Sequence, residues 1–188
     1  MMHQDIERWI QEIRAYNRVL HLMSEAMTAD LEEDVFNTMK LLEYIHEPAI
    51  TDLGSGSGLP AIPYKIMYPQ SSLIMVERSQ KKCTFLRHVI DILNLENIEL
   101  IGEDLLATPE PRRFDAIMSR AFSPLKTLEK VVTASSRPGS RLYYLSTGRS
   151  KPVHNEFISL ADHHEQRCRR YTMHLDIYEL TSRQQGSS

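Results

Sequence analysis

Three glycines at alternate positions are the first residues in this chain whose spacing suggests chemistry. They stand in Asp52-Leu53-Gly54-Ser55-Gly56-Ser57-Gly58-Leu59-Pro60-Ala61-Ile62-Pro63. Glycine takes positive φ and carries no Cβ, so the backbone can turn sharply and let a ligand lie against it. A short apolar strand would end at Leu53, and Pro60 or Pro63 suits the first turn of a helix. The free N–H groups and the positive end of that helix would then face the ligand. Neither phosphate-binding pattern fits. A dinucleotide fingerprint reads G-x-G-x-x-G, but the third glycine comes one residue early and Leu59 stands in its place. A P-loop needs a terminal Gly-Lys-Ser/Thr, which is absent. About twenty residues on, the apolar run from Ser72 to Val76 ends in Glu77, a carboxylate at a strand tip placed to bond ribose hydroxyls.

A second constellation follows the buried strand expected over residues 114–118. Open α/β sheets bind ligands beyond the carboxyl ends of their strands, and Ser119-Arg120-Ala121-Phe122 sits there. The planar fork of Arg120 suits a phosphate, a carboxylate or a base, or a pairing with Asp52 or Glu77 that holds the loops. Phe122 could stack on a base or pack on a helix. Lys81, Lys82, Arg87 and His88 form the polar surface of a helix over residues 80–93, a solvated face unless other basic groups join it. His163, His164 and Cys168 lack a second ligand pair, so no metal is expected. Cys83 and Cys168 form no C-x-x-C and argue against a disulfide framework.

These residues need elements to position them. The chain has 188 residues, 41% hydrophobic and 25% charged, enough for one domain with its own core. Ile6, Trp9, Ile10, Ile13, Tyr16 and Leu20 recur at helix spacing over residues 5–22, and a second helix is expected over 30–45. Strands then alternate with helices: 97–101 a third strand, 124–135 a helix, 141–146 a fifth strand. A helix from Pro152 to about His163 is expected next. Residues 170–180 alternate with period two, as antiparallel edge strands do. The order implies a Rossmann-like, mainly parallel sheet with an antiparallel last strand and an N-terminal helical cap. The expected domain is 1–183, with a cap over 1–46, a core over 47–183 and a disordered tail over 184–188. Net charge is −3, so any nucleic-acid site must be a local patch, drawn from Lys81, Lys82, Arg87, Arg120, Lys126 and Arg149. No run is long enough to span a bilayer and no signal-peptide core is evident, which points to a cytoplasmic protein.

An acidic residue, one apolar residue and G-x-G-x-G resemble the cofactor loop of class I S-adenosylmethionine methyltransferases. The line from Asp52 to Pro63 resembles more narrowly the bacterial RsmG (GidB) family. Glu77-Arg-Ser-Gln-Lys-Lys82, Thr84-Phe-Leu-Arg87, Leu95-Glu-Asn-Ile98 and Phe114-Asp-Ala-Ile-Met-Ser-Arg-Ala-Phe122 follow in the family's order. The resemblance implies methyl transfer from S-adenosylmethionine to guanine N7 of small-subunit ribosomal RNA. It also implies a ribosomal RNA or small-subunit partner, and a monomer is expected. Asp52, Gly54, Gly56, Gly58, Leu59, Glu77, Asp104, the Leu105 amide and Arg120 would line the cofactor site, Asp104 and Leu105 at its adenine. Lys81, Lys82 and Phe122 would meet the substrate, and Arg120 would position it. The presumed substrate side departs from the family. His21-Leu22-Met23 replaces Asn-Leu-Thr, Asp34-Val-Phe-Asn37-Thr38 replaces His-x-x-Asp-Ser, Thr147-Gly148 replaces Lys-Gly, and Met173 replaces a late Arg. A methyltransferase acting on a small molecule or protein, or a cofactor-binding module without catalysis, therefore stays open.

Overall fold

The computed structural model describes residues 2–104, 114–120, 125–148 and 157–181. Leu105, Phe122, Arg149, the expected helix start at Pro152 and the tail from 184 lie outside those residues, as does the side chain of Lys126.

Ile6, Trp9, Ile10 and Ile13 form the buried stripe of α1 (Met2–Leu20). A five-residue helix without a sequence signal, α2 (Glu25–Ala29), starts at Ser24, whose hydroxyl accepts from the Met27 N–H at 3.3 Å. Helix α3 (Leu31–Leu42) carries Glu32, Glu33 and Asp34 in its first turn, where negative charge complements the helix dipole. The alternating unit follows: β1 (Ala49–Leu53), α4 (Ala61–Met67), β2 (Ser72–Val76), α5 (Gln80–Ile92), β3 (Ile98–Ile101), β4 (Phe114–Arg120), α6 (Leu125–Ser135) and β5 (Ser136–Ser146). Two further strands, β6 (Ile158–Arg167) and β7 (Thr172–Leu180), close the chain's described part.

The seven strands run in the order β3-β2-β1-β4-β5-β7-β6. Pairings from β3 through β5 are parallel, while β5–β7 and β7–β6 are antiparallel. Strand order reverses between β1 and β4, the position where an open sheet leaves a crevice at its carboxyl ends. One face packs α1, α3, α4 and α5 through Trp9, Ile13, Leu42, Ile62, Phe85 and Leu86. The other packs α6 through Leu128 and Val132 against Leu53, Ile117 and Leu142.

Two expectations for the end of the chain are corrected. Residues 158–163 lie in β6, not in a helix begun at Pro152. Strand β7 is not an edge strand: it lies between β5 and β6, and β6 is the edge. The reason is a register shift between Leu160 and Asp162, which breaks the alternation that would have marked β6.

Helix α1 is tied to the core at several points. Arg8 donates to the Ile92 carbonyl at 2.8 Å, and His88, read from sequence as a surface histidine, meets Glu12 at 2.9 Å. The fully buried Trp9 donates its indole N–H to the Ser57 carbonyl in the glycine loop at 3.1 Å. Trp9→Ala is expected to cost about 3–5 kcal/mol in chemical denaturation, and Trp9→Phe, which keeps most of the packing, clearly less. Equal costs would mean that packing contributes little at this position.

Candidate active site

The three glycines all take positive φ: 80° at Gly54, 58° at Gly56 and 95° at Gly58. Gly58 is required for a second reason, since a Cβ there would meet Ile62 Cγ1 at 2.5 Å. At Gly56 a Cβ would meet only the Gly54 carbonyl, at 3.7 Å, so the loop is open above that residue.

The loop's N–H groups differ from expectation. Gly54 and Ser55 donate to the Val76 carbonyl at 2.9 and 3.0 Å, and Gly58 to Ser55 at 2.7 Å. Gly56 donates to Glu77 Oε2 at 2.9 Å. These donors are turned inward and do not face a ligand. Such a loop is a poor cradle for a pyrophosphate and suits a ligand that asks for close approach instead.

Glu77 is buried. Its Oε1 accepts from the Ser79 N–H at 2.8 Å while Oε2 holds Gly56, so the carboxylate joins the glycine loop to the turn before α5. A carboxylate has about four lone-pair positions, which leaves Glu77 capacity for hydroxyl donors from a ligand.

Asp52 is strongly perturbed. It is fully buried in β1, and neither carboxylate oxygen has a hydrogen-bond partner among the described residues. Burial pushes its carboxyl up from 3.8 to about 7; nearby Ser55 opposes the change and the charge of Glu77 adds to it. A buried carboxylate of this kind favours a cationic ligand group. S-adenosylmethionine carries an ammonium and a sulfonium, so the orphaned oxygens and the open loop fit it.

The carboxyl ends of β1 and β4 are held together by Ser119, whose hydroxyl donates to the Leu53 carbonyl at 3.0 Å. Arg120, the last residue of β4, pairs with neither Asp52 nor Glu77. Its partner is Asp34 of α3, at 2.6 Å, with both side chains almost fully buried. The other Asp34 oxygen has no partner among the described residues. On the same helix Thr38 donates to the Met173 sulfur at 3.5 Å.

Other expected site residues spread around this centre. Asp104 meets Arg78 at 3.3 Å, and both line a narrow crevice with Leu53, Gly54 and Val76. Leu59 packs its side chain into the core, so only its backbone can serve a ligand. Lys81 is exposed and Lys82 half-buried on α5. A wider groove between α1 and α2, lined by Arg14, Asn17, Arg18 and His21, touches none of the expected site residues. Sequence reasoning missed Asp34, because its partner lies 86 residues away.

The family model described as rRNA small subunit methyltransferase G (GidB) matches residues 2–167. The chain belongs to that family. A ribosomal RNA small subunit methyltransferase G of Polynucleobacter asymbioticus is 30% identical over 169 residues, covering 85% of this chain and 76% of that protein. Another, of Laribacter hongkongensis, is 36% identical over 118 residues, covering 62% and 57%. Among solved structures, P. horikoshii TYW2 in complex with MeSAdo superposes with a TM-score of 0.61 at 14% identity, covering 80% of this chain and 64% of that one. A putative O-methyltransferase from Klebsiella pneumoniae gives 0.60 at 12% identity, covering 95% and 90%. These likenesses show the fold, that of Rossmann-like class I methyltransferases.

Asp52 predicts a pH dependence. A carboxyl whose folded value of about 7 lies above its unfolded 3.8 is protonated more readily in the folded state. Its relative contribution is most favourable below 3.8 and is lost as pH rises toward 7, by at most about 4 kcal/mol. Asp52→Asn is expected to remove that slope and to make the ligand-free chain more stable at pH 8. Thermal unfolding from pH 4 to 8 checks this; a variant no more stable than its parent at pH 8 would show that Asp52 holds no buried charge.

Proposed function

We propose that this chain transfers a methyl group from S-adenosylmethionine to guanine N7 of small-subunit ribosomal RNA. The observation that carries the reading is the family match over residues 2–167, joined to an open glycine loop above an unpartnered, buried carboxylate.

S-adenosylmethionine, when bound, supplies an electrophilic methyl on a sulfonium. In this reading Asp52 faces the cationic end of that cofactor. Glu77 fixes Gly56 and offers its remaining lone pairs to the ribose, and Asp104, with the Leu105 amide, serves the adenine. Guanine N7 has an in-plane lone pair and no proton to lose. The chain therefore needs alignment and water exclusion, not a general base, and positioning supplies most of the rate. Arg120 acts on the substrate side through Asp34, setting α3 against the end of β4. Lys81 and Lys82 are offered as a local basic patch, since the overall charge is negative. Residues 1–46 serve as the cap of a single domain whose core runs over 47–183. Among the described residues no helix is long and apolar enough to cross a membrane.

Radiolabelled methyl transfer tests the reading, with small ribosomal subunits and naked RNA from cells lacking this protein. Label in small-subunit RNA, mapped to guanine N7, is expected. S-adenosylmethionine binding without RNA label would overturn the acceptor and leave a small molecule, a protein or no acceptor. Arg120→Ala should lower both activity and stability, the latter by about 3–5 kcal/mol, because it leaves the Asp34 carboxylate buried alone.

A further inference from the structure

The antiparallel end of the sheet gathers four titratable side chains on one face. Register pairs His163 of β6 with Asp176 of β7, and Glu165 with His174. The bulge makes this possible. Leu160 pairs with Tyr178 and Asp162 with Ile177, so Ala161 is the extra residue. Past it, His163 and Glu165 turn to the same side as His174 and Asp176.

The geometry within the cluster is that of ligands around a small cation. His163 Nε2 lies 3.1 Å and His174 Nδ1 3.4 Å from the same Glu165 oxygen, Oε1. The three donor atoms all fall within 4.8 Å of one another. Zinc bonds of about 2.0–2.1 Å in a tetrahedral set put donors about 3.3–3.5 Å apart, so the cluster needs only small rotations to close. His163 turns its other nitrogen, Nδ1, to Asp176 Oδ1 at 2.5 Å. That is the carboxylate–histidine arrangement which fixes the ring and tautomer of a ligating imidazole. His174 is 6% exposed, and its Nδ1, aimed into the cluster, makes no hydrogen bond among the described residues. A buried imidazole nitrogen that faces a carboxylate without a hydrogen bond has a reason to be there if a cation lies between them.

We propose that His163, Glu165 and His174 bind a divalent zinc-type cation, with Asp176 as the group that orients His163. Two imidazoles and a carboxylate suit zinc among the divalent metals, and three protein ligands leave a fourth position for water. The ion joins the edge strand β6 to β7 through their side chains, in addition to the ladder that pairs them. It sits at the rim that carries the crevice, because His174 pairs with Ser146 at the carboxyl end of β5. This goes beyond the methyl-transfer reading and does not depend on it.

The test is zinc uptake by the full chain after chelator treatment, measured by equilibrium dialysis and metal analysis, with Zn(II) alone as probe. One bound zinc per chain and a higher melting temperature with zinc are expected. His174→Ala and the half-exposed Glu165→Gln should lose the site. Asp176→Asn should weaken it by about 10–100-fold, the usual cost of removing such a supporting group. His3→Ala, at an exposed histidine far along the sequence, should bind as the parent does. Circular dichroism and a cooperative melting transition establish that each variant is folded. A parent chain that takes up no zinc overturns the proposal. So does a folded Glu165→Gln or His174→Ala variant that takes it up unchanged.

Discussion

A carboxylate taken wholly out of water, with no hydrogen bond among the described residues, is the constraint on which this structure turns. Asp52 sits at that position, one residue before the end of β1. Burial alone would drive it to the protonated form, and the second carboxylate nearby, Glu77, adds to the pressure. Glu77 itself is satisfied by two backbone N–H groups, so the pair is asymmetric. One carboxylate holds the loop and the other has no hydrogen bond among the described residues. An arrangement that costs stability in the free chain persists at functional sites, where the ligand offsets it.

Several contacts converge on keeping that site in shape. Ser119 fastens β4 to the tip of β1, and Trp9 reaches from α1 to the loop carbonyl at Ser57. The Arg120–Asp34 pair connects the end of β4 with α3. Removing one partner of such a pair is costly because the other charge stays buried. The N-terminal helices are thus joined to the crevice by specific polar contacts as well as by apolar packing. Thr38 of α3 and Met173 of β7 touch each other beside the same junction.

The alternating core was legible because each signal there is local. Glycines that must take positive φ, an apolar strand ending in Glu77 and the helical stripe of α1 all declare themselves within a few residues. The loop's donors were misjudged, since nothing local says that the Val76 carbonyl will take two of them. Arg120 was recognised as a residue of consequence, but its partner came from a distant helix. Strand β6 was missed for a physical reason: the extra residue at Ala161 shifts the alternation halfway along. Polar side chains then fall on both faces of Ile158–Arg167, and no period-two pattern survives. The same shift assembles the histidine cluster, so the feature that hid the strand also made the cluster.

The central claim is that Asp52 is a buried carboxylate awaiting a cationic ligand, and its own titration tests that most directly. Carbon-13 NMR of the aspartate carboxyls, assigned with Asp52→Asn, can follow it with and without S-adenosylhomocysteine, whose ammonium would be the partner. The account predicts a midpoint near 7 in the free chain, as burial dictates, and a fall toward the ordinary carboxylate range when the ligand binds. A midpoint already near 3.8 in the free chain, or one near 7 that the bound ligand leaves in place, would contradict it.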